Sequence, residues 1–476
     1  MIAADGITSR TLRGTLWAYA SLVGGQALVL ASTAILARLL GPSDFGLVAL
    51  ALVFVSLLDM ISDLGLSPAL VISKPEELEE RADTVFLFTL ATGAGLSALT
   101  AAASPLAGKL FHEPDLPPLV AALGLTFFLR AAGGTHYALA QRGIDFRTRT
   151  TAELVSVATR GVTGIALALT GLGAWSLVAG YLVGTTAMTA TLWARVPWRP
   201  RFRLSRRQLP RMLRFGSTLT AVDLLAAVLS QVDSIFIGRV LGTHALGLYT
   251  LAFRLPGLVI VNGATVAGRV LFPAFAAVGR DALGRAFLKS LRYTALVALP
   301  AAAALCLLAE PVVLAVLGDQ WPGAIAPMRI LTLFALAVAL GIPAGTAYKA
   351  IGEAGVLLKL AIPRAVLAVG LIAVFVDQGI LAVAACQAAV ASLFGVIGLV
   401  IASRMLSVPP RAIAAALWPG VVGALAVALA VWPASALIDG SPAGTLAVAA
   451  AAAGLAYAGA LWRVAPDVVR EIRAAF

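Results

Sequence analysis

Charged side chains interrupt long apolar runs along this chain, and their types suggest what they could do there. In the first half they are Asp59, Asp63, Arg130 and Arg160; in the second, Asp223, Asp233, Arg254, Arg269, Arg329 and Arg364. An ionisable group at bilayer depth is costly and usually faces a cavity or a partner. Arginine stays protonated, and its planar fork makes bidentate charged hydrogen bonds to phosphate. Bases that recur in both halves point to a cationic cavity and an anionic substrate. Arg130, Arg160, Arg254 and Arg269 are the candidates for contact with a phosphorylated or acidic group. A carboxylate in a low-dielectric cavity can carry a proton or bind sodium. Asp63 and Asp233 are the candidates for that coupling role.

Helical spacing says which of these residues share a face. At about 100° per residue, Asp59 and Asp63 lie together, and Arg254, Asn262 and Arg269 fall within roughly 80° of one another. Asp223 and Asp233 are about 80° apart, with Gln231 nearby. A rival reading competes at every position. Arginines near span ends snorkel to headgroups, or pair with a carboxylate and fix helix packing. That reading is preferred for Arg38, Arg239, Arg329 and Arg364; for the four candidate arginines the choice stays open.

The elements that must hold these groups are membrane-spanning helices. The hydrophobic set makes up 60% of the chain and charged residues 12%, about half the charge of an ordinary soluble domain. A span needs roughly 20 apolar residues to cross the hydrocarbon layer, and runs of that length number about fourteen. They are expected at 15–39, 46–72, 83–104, 116–140, 151–171, 174–194, 213–240, 246–275, 290–310, 323–348, 355–376, 379–402, 412–437 and 443–462. The runs are too long and too uniformly apolar for barrel strands, so the fold class is an all-α polytopic membrane protein. Arg10 and Arg13 precede a long first span, which reads as an uncleaved helix rather than a signal peptide.

The net charge of +12 does not point to nucleic acid, because the bases sit between spans. Basic loops alternate with loops that hold one clear base, Lys109, which puts the basic loops and both termini in the cytoplasm. Arg38 and Arg239 run against that pattern. Cys306 and Cys386 make no disulfide or metal motif. His112, His136 and His244 lack metal-ligand spacing, and no phosphate-binding GxxxxGK[ST] loop is present. No cofactor is expected; a proton or sodium gradient would drive any transport.

An internal repeat organises the spans. Arg38-Leu-Leu-Gly41-Pro-Ser-Asp-Phe-Gly46-Leu-Val-Ala-Leu-Ala51 aligns without a gap to Arg239-Val-Leu-Gly242-Thr-His-Ala-Leu-Gly247-Leu-Tyr-Thr-Leu-Ala252. The copies join spans one to two and seven to eight. The expected plan is a six-helix lobe over 1–196, a basic cytoplasmic linker at 197–211, a second six-helix lobe over 212–404, and a helix pair with a tail at 405–476. Parallel repeats of this kind bind substrate between halves that rock.

The opening Thr15-Leu-Trp-Ala-Tyr and the run Ala37-Arg38-Leu-Leu-Gly41-Pro42-Ser-Asp44-Phe45-Gly46 resemble the Wzx-type oligosaccharide flippases of the multidrug/oligosaccharidyl-lipid/polysaccharide exporter superfamily. Asp63-Leu-Gly65, Gln141-Arg142-Gly143-Ile-Asp145-Phe146 and Asp233-Ser-Ile-Phe236-Ile-Gly238-Arg239 resemble the same family. The resemblance implies two six-helix lobes around a cationic cavity in a bacterial cytoplasmic membrane. It also implies movement of an undecaprenyl-diphosphate-linked oligosaccharide to the outer leaflet by ion-coupled alternating access. Membrane lipids and the polysaccharide polymerase machinery would be its partners, and the last helix pair would border a groove for the lipid tail.

Three alternatives differ in chemistry. A lipid II flippase would share the fold and the pyrophosphate. A multidrug or metabolite exporter of the superfamily would prefer cations, which the excess of buried arginine disfavours. An O-antigen polymerase or ligase would need a large outer loop. The longest here, Pro105–Pro117, carries only Lys109, His112, Glu113 and Asp115.

Overall fold

A computed structural model describes residues 24–62, 66–71, 75–203, 231–265, 280–353, 355–436 and 442–467, with a few single positions between them. The described residues are helical almost throughout and contain no strand. Among the described residues, twelve helices are long and apolar enough to cross a membrane. Each falls on an expected span; the described parts of the first, seventh and eighth are shorter, and the third runs on to Phe111 with Pro105 inside it, so much of the expected outer loop Pro105–Pro117 is helical. Chain contacts divide the protein into two compact units, Met1–Gly247 and Leu248–Phe476.

The first unit holds α1 (Gly24–Leu39), α2 (Pro42–Ser62), α3 (Leu66–Val71), α4 (Leu78–Phe111), α5 (Leu116–Arg142), α6 (Phe146–Leu169), α7 (Ala174–Arg195) and the described part of α8 (231–240). Helix α9 (Gly242–Pro256) begins there and runs into the second unit. Small residues let these helices approach closely, as is usual where lipid supplies no hydrophobic drive for helix association.

The repeat motif is where that closeness is greatest. A Cβ on Gly46 would lie 1.8 Å from the Thr243 carbonyl oxygen, and one on Gly247 would lie 1.9 Å from that of Pro42. In the repeat alignment Pro42 matches Thr243 and Gly46 matches Gly247. Each copy therefore seats its glycine on the other copy's helix start. Asp44 fixes the first copy by accepting from the Gly41 amide at 3.1 Å. Arg239, at odds with the charge pattern, bonds to His112, and Thr243 donates to Glu113 at 3.0 Å. The α4–α5 turn is thus tied to the α8–α9 turn.

At the opposite ends of these helices Asp145 caps α6, accepting from the Thr148 amide at 3.0 Å. Partial burial pushes the Asp145 carboxyl up, but its bonds to Thr148, together with the nearby Arg195 charge and the Arg147 amide, hold it below its ordinary value. Asp145→Ala should cost about 1 kcal/mol in thermal unfolding in detergent. Because the folded carboxyl is depressed, the cap's charge contributes above the unfolded carboxylate range, near ~3.9, and is lost as pH falls through the folded value. Arg142 donates to the Val71 carbonyl at 2.9 Å, anchoring α3.

The start of the basic stretch after α7 is docked on the first unit. The Arg201 amide donates to Asp83 at 3.0 Å, and its guanidinium pairs with Glu79 at 2.8 Å. Trp198 and Phe202 pack edge-on against Phe86. Buried His136 lies between Trp193 and Trp198.

In the second unit α9 passes into a π-helical turn, Gly257–Val261, immediately after Pro256. It is followed by α10 (Arg280–Leu307), α11 (Ile325–Ala350), α12 (Gly355–Phe375), α13 (Ile380–Met405), α14 (Pro410–Ala436) and α15 (Pro442–Val464). Phe287, Leu291, Ala347 and Tyr348 lie in a core cluster of this unit. The last helix pair is bound to α10. Tyr457 donates to the Leu296 carbonyl at 2.8 Å, and Arg292 makes a two-pronged bond to Asp467 at 2.7 and 2.9 Å.

Candidate functional site

Two of the predicted arginines open on one cavity. It lies within the first unit, has a volume of about 350 Å³, and is lined among others by Arg130, Tyr137, Ser156, Arg160, Tyr181 and Thr185. Ligand pockets run from roughly 300 to 1,000 Å³. Arg130 and Arg160 sit near the middles of α5 and α6, so both charges are far along the span from either helix end.

Helix packing explains their placement. On α5, Arg130, Gly133, Gly134 and Tyr137 share the helical spacing i, i+3, i+4, i+7. Thr189 on α7 donates to the Leu129 carbonyl at 2.8 Å, and Trp193 donates to that of Ala132 at 2.7 Å. These bonds fix the α5 face that carries Arg130. Between α6 and α7 the spacer is Gly184: a Cβ there would lie 2.9 Å from the Arg160 Cβ. The close crossing lays the Arg160 guanidinium over the Tyr181 ring, 3.2 Å from its centre. A cation over an aromatic face is held by the ring quadrupole.

The two arginines differ in their partners. Arg130 is paired with Asp59 of α2 at 2.6 Å. No carboxylate lies within ion-pair distance of Arg160 among the described residues. Farther along the cavity the Tyr137 hydroxyl donates to Glu153 at 2.8 Å and accepts from Arg149 at 2.7 Å. The result is a cavity that gathers a stacked guanidinium, an ion-paired one, two tyrosines and several hydroxyls among apolar side chains. Such a surface suits an anion that also carries hydroxylated rings. Tyr181→Phe keeps the ring and should leave binding of inorganic pyrophosphate within about twofold of wild type, whereas Tyr181→Leu should weaken it roughly three- to tenfold. Calorimetry on the purified protein reads both.

The remaining candidates fall elsewhere. Arg254 lies on α9 within the second unit, two residues before Pro256. A π turn after a proline is a local break of the kind common at functional sites. Asp233 is on α8, where its carboxylate accepts from the Ser234 amide at 2.8 Å. Asp63 and Arg269 lie outside the described residues. Sequence reasoning missed Tyr137, Tyr181, Ser156 and Thr185. A signal was available, because Ser156 precedes Arg160 by four residues and Tyr181 precedes Thr185 by four.

The polysaccharide biosynthesis protein family matches residues 35–326, and the chain belongs to it. Its curated relatives are named for polysaccharide biosynthesis and transport, in keeping with the resemblance read from the sequence motifs. It is 32% identical to the succinoglycan biosynthesis transport protein ExoT of Rhizobium meliloti, over 75% of this chain and 72% of that one. It is 27% identical to the lipopolysaccharide biosynthesis protein WzxC of Escherichia coli, over 71% and 70%. Among solved structures it superposes on the lipid II flippase MurJ in an inward closed conformation. The TM-score is 0.75 at 16% identity, over 95% of this chain and 100% of that one. An inward-facing multidrug resistance MATE family transporter gives a TM-score of 0.64 at 20% identity, over 80% and 94%. These two likenesses carry the fold.

Proposed function

We propose that the protein flips an undecaprenyl-diphosphate-linked oligosaccharide from the cytoplasmic to the outer leaflet of a bacterial cytoplasmic membrane, with both termini in the cytoplasm. The observation that carries this reading is the Arg160 guanidinium, stacked on Tyr181 and aimed with Arg130 into one hydroxyl-lined cavity. A diphosphate can bond to the guanidinium groups, and sugar rings can meet the tyrosines and hydroxyls. Relatives named for succinoglycan, lipopolysaccharide and teichuronic acid biosynthesis support a polysaccharide precursor as cargo. Asp63 and Asp233 are assigned to proton or sodium coupling, and Arg254 and Arg269 to substrate contact from the second half. The protein acts as a transporter and carries out no bond-making step.

The test is flipping in proteoliposomes. A fluorescent lipid-diphosphate oligosaccharide should become accessible to an external quencher only when the protein is present. Lipid II and the cation ethidium serve as parallel cargoes. Flipping of lipid II alone would favour the lipid II reading, ethidium transport alone would favour drug export, and movement of neither diphosphate lipid would overturn the proposal.

A further inference from the structure

The cavity's two arginines are not equivalent, and the difference is Asp59. Its Oδ2 lies 2.6 Å from the Arg130 Nη1, while Oδ1 is 3.4 Å from the Ser62 hydroxyl. The side chains are 33% and 53% exposed, so neither partner is sealed away from an incoming ligand. Half-exposed pairs of this kind are weak and exchange readily. Arg130 faces the cavity, but Asp59 reaches it from α2 and is not part of the lining. Its carboxylate therefore engages Nη1 of Arg130, a donor for which a phosphate oxygen would compete.

We propose that Asp59 is an internal stand-in for the substrate's anionic headgroup, which must take Arg130 from Asp59 before both arginines can hold it. The inference rests on the reading that this cavity receives a phosphorylated headgroup. Arg160, with no carboxylate in reach among the described residues, makes the first contact. Arg130 joins by exchange of one anion for another, and the headgroup leaves when Asp59 reclaims it. The cavity is thus returned to its starting charge pairing after each passage. The exchange also has a mechanical consequence. Asp59 ties α2 to α5, and one turn earlier Ser56 ties α2 to α8 by accepting from Gln231 at 2.7 Å. Headgroup capture releases the first tie and leaves the second.

Inorganic pyrophosphate is the probe, with its binding to the purified full-length protein measured by calorimetry. Asp59→Asn should tighten binding about threefold, the order expected when a weak competing pair is removed. Asp59→Glu, which keeps a competing carboxylate, should stay close to wild type. In an Arg130→Gln background the Asp59→Asn effect should shrink to less than about half, because the contested guanidinium is gone. Weaker or unchanged binding by Asp59→Asn overturns the inference, as does equal tightening with and without Arg130. If Asp59→Asn does not fold, Asp59→Glu and Asp59→Ser are compared instead, and tighter binding by the serine variant alone is the supporting result. Pyrophosphate binding that depends on Arg160 but not on Asp59 sinks only this inference. Absence of any binding by the wild type sinks the headgroup reading as well.

Discussion

Arg160→Ala should reduce surface-polysaccharide export in a flippase-null strain to a tenth or less of wild type, at an unchanged protein level in the membrane. Each charged hydrogen bond lost from the site is worth about 1.5–3 kcal/mol, which is roughly 10- to 100-fold in affinity. The residue bears this weight because Arg130 is paired with Asp59, whereas Arg160 is stacked on the Tyr181 ring with no carboxylate in ion-pair distance among the described residues. Arg160→Lys keeps the charge but loses the planar fork, so it should retain intermediate export. Export of Arg160→Ala at the wild-type level would remove the residue from the substrate path.

The second large effect is steric. Gly46→Val and Gly247→Val should each abolish export, because the added Cβ would meet a backbone carbonyl oxygen 1.8 or 1.9 Å away. No rotamer relieves a clash with backbone. Overpacking of ordinary core sites already costs about 1–3 kcal/mol, and a crossing that must move bodily costs at least as much. Thermal unfolding in detergent should fall for both variants alike, since the contacts are reciprocal. Gly95→Ala is the control: nothing lies within 4 Å of its Cβ position, so export and stability should be unchanged. A wild-type melt for Gly46→Val would mean that this crossing does not form.

The spans were legible in the sequence because lipid imposes a coarse rule that needs no tertiary knowledge: a long apolar run becomes a helix. The expected run at 355–376 and α12 at Gly355–Phe375 differ by a single residue at one end. Finer features depended on interactions between helices. The span expected over 246–275 leaves α-helical geometry after Pro256, where a proline ring and a π turn break the backbone pattern. The basic stretch after α7 read as a tether because its charges dominate. Yet Trp198 and Phe202 within it pack on Phe86, an aromatic contact that a charge profile does not register.

The site was legible to about the same depth. Arg130 and Arg160 stood out because charge in an apolar run is conspicuous. Their partners did not, since Asp59 lies 71 positions from Arg130 and the pairing depends on how α2 and α5 are rotated about their axes. Asp59 was grouped with Asp63 on helical spacing, but Asp63 lies outside the described residues and the pairing that forms is with Arg130. Tyr181 was passed over because a lone aromatic in an apolar helix looks like packing. Only the close α6–α7 crossing at Gly184 turns its ring into a seat for a cation.

The most direct test of a wetted cationic vestibule for a diphosphate headgroup is protection of its wall. Single cysteines at Ser156 and Thr185, introduced after Cys306 and Cys386 are replaced by serine, would be exposed to a negatively charged, water-soluble thiol reagent. Both should label in membranes, and undecaprenyl diphosphate should slow the labelling in proportion to its occupancy, with the protection lost in Arg160→Ala. Cysteines that the aqueous reagent never reaches, or that label equally fast with and without the lipid, would contradict the account.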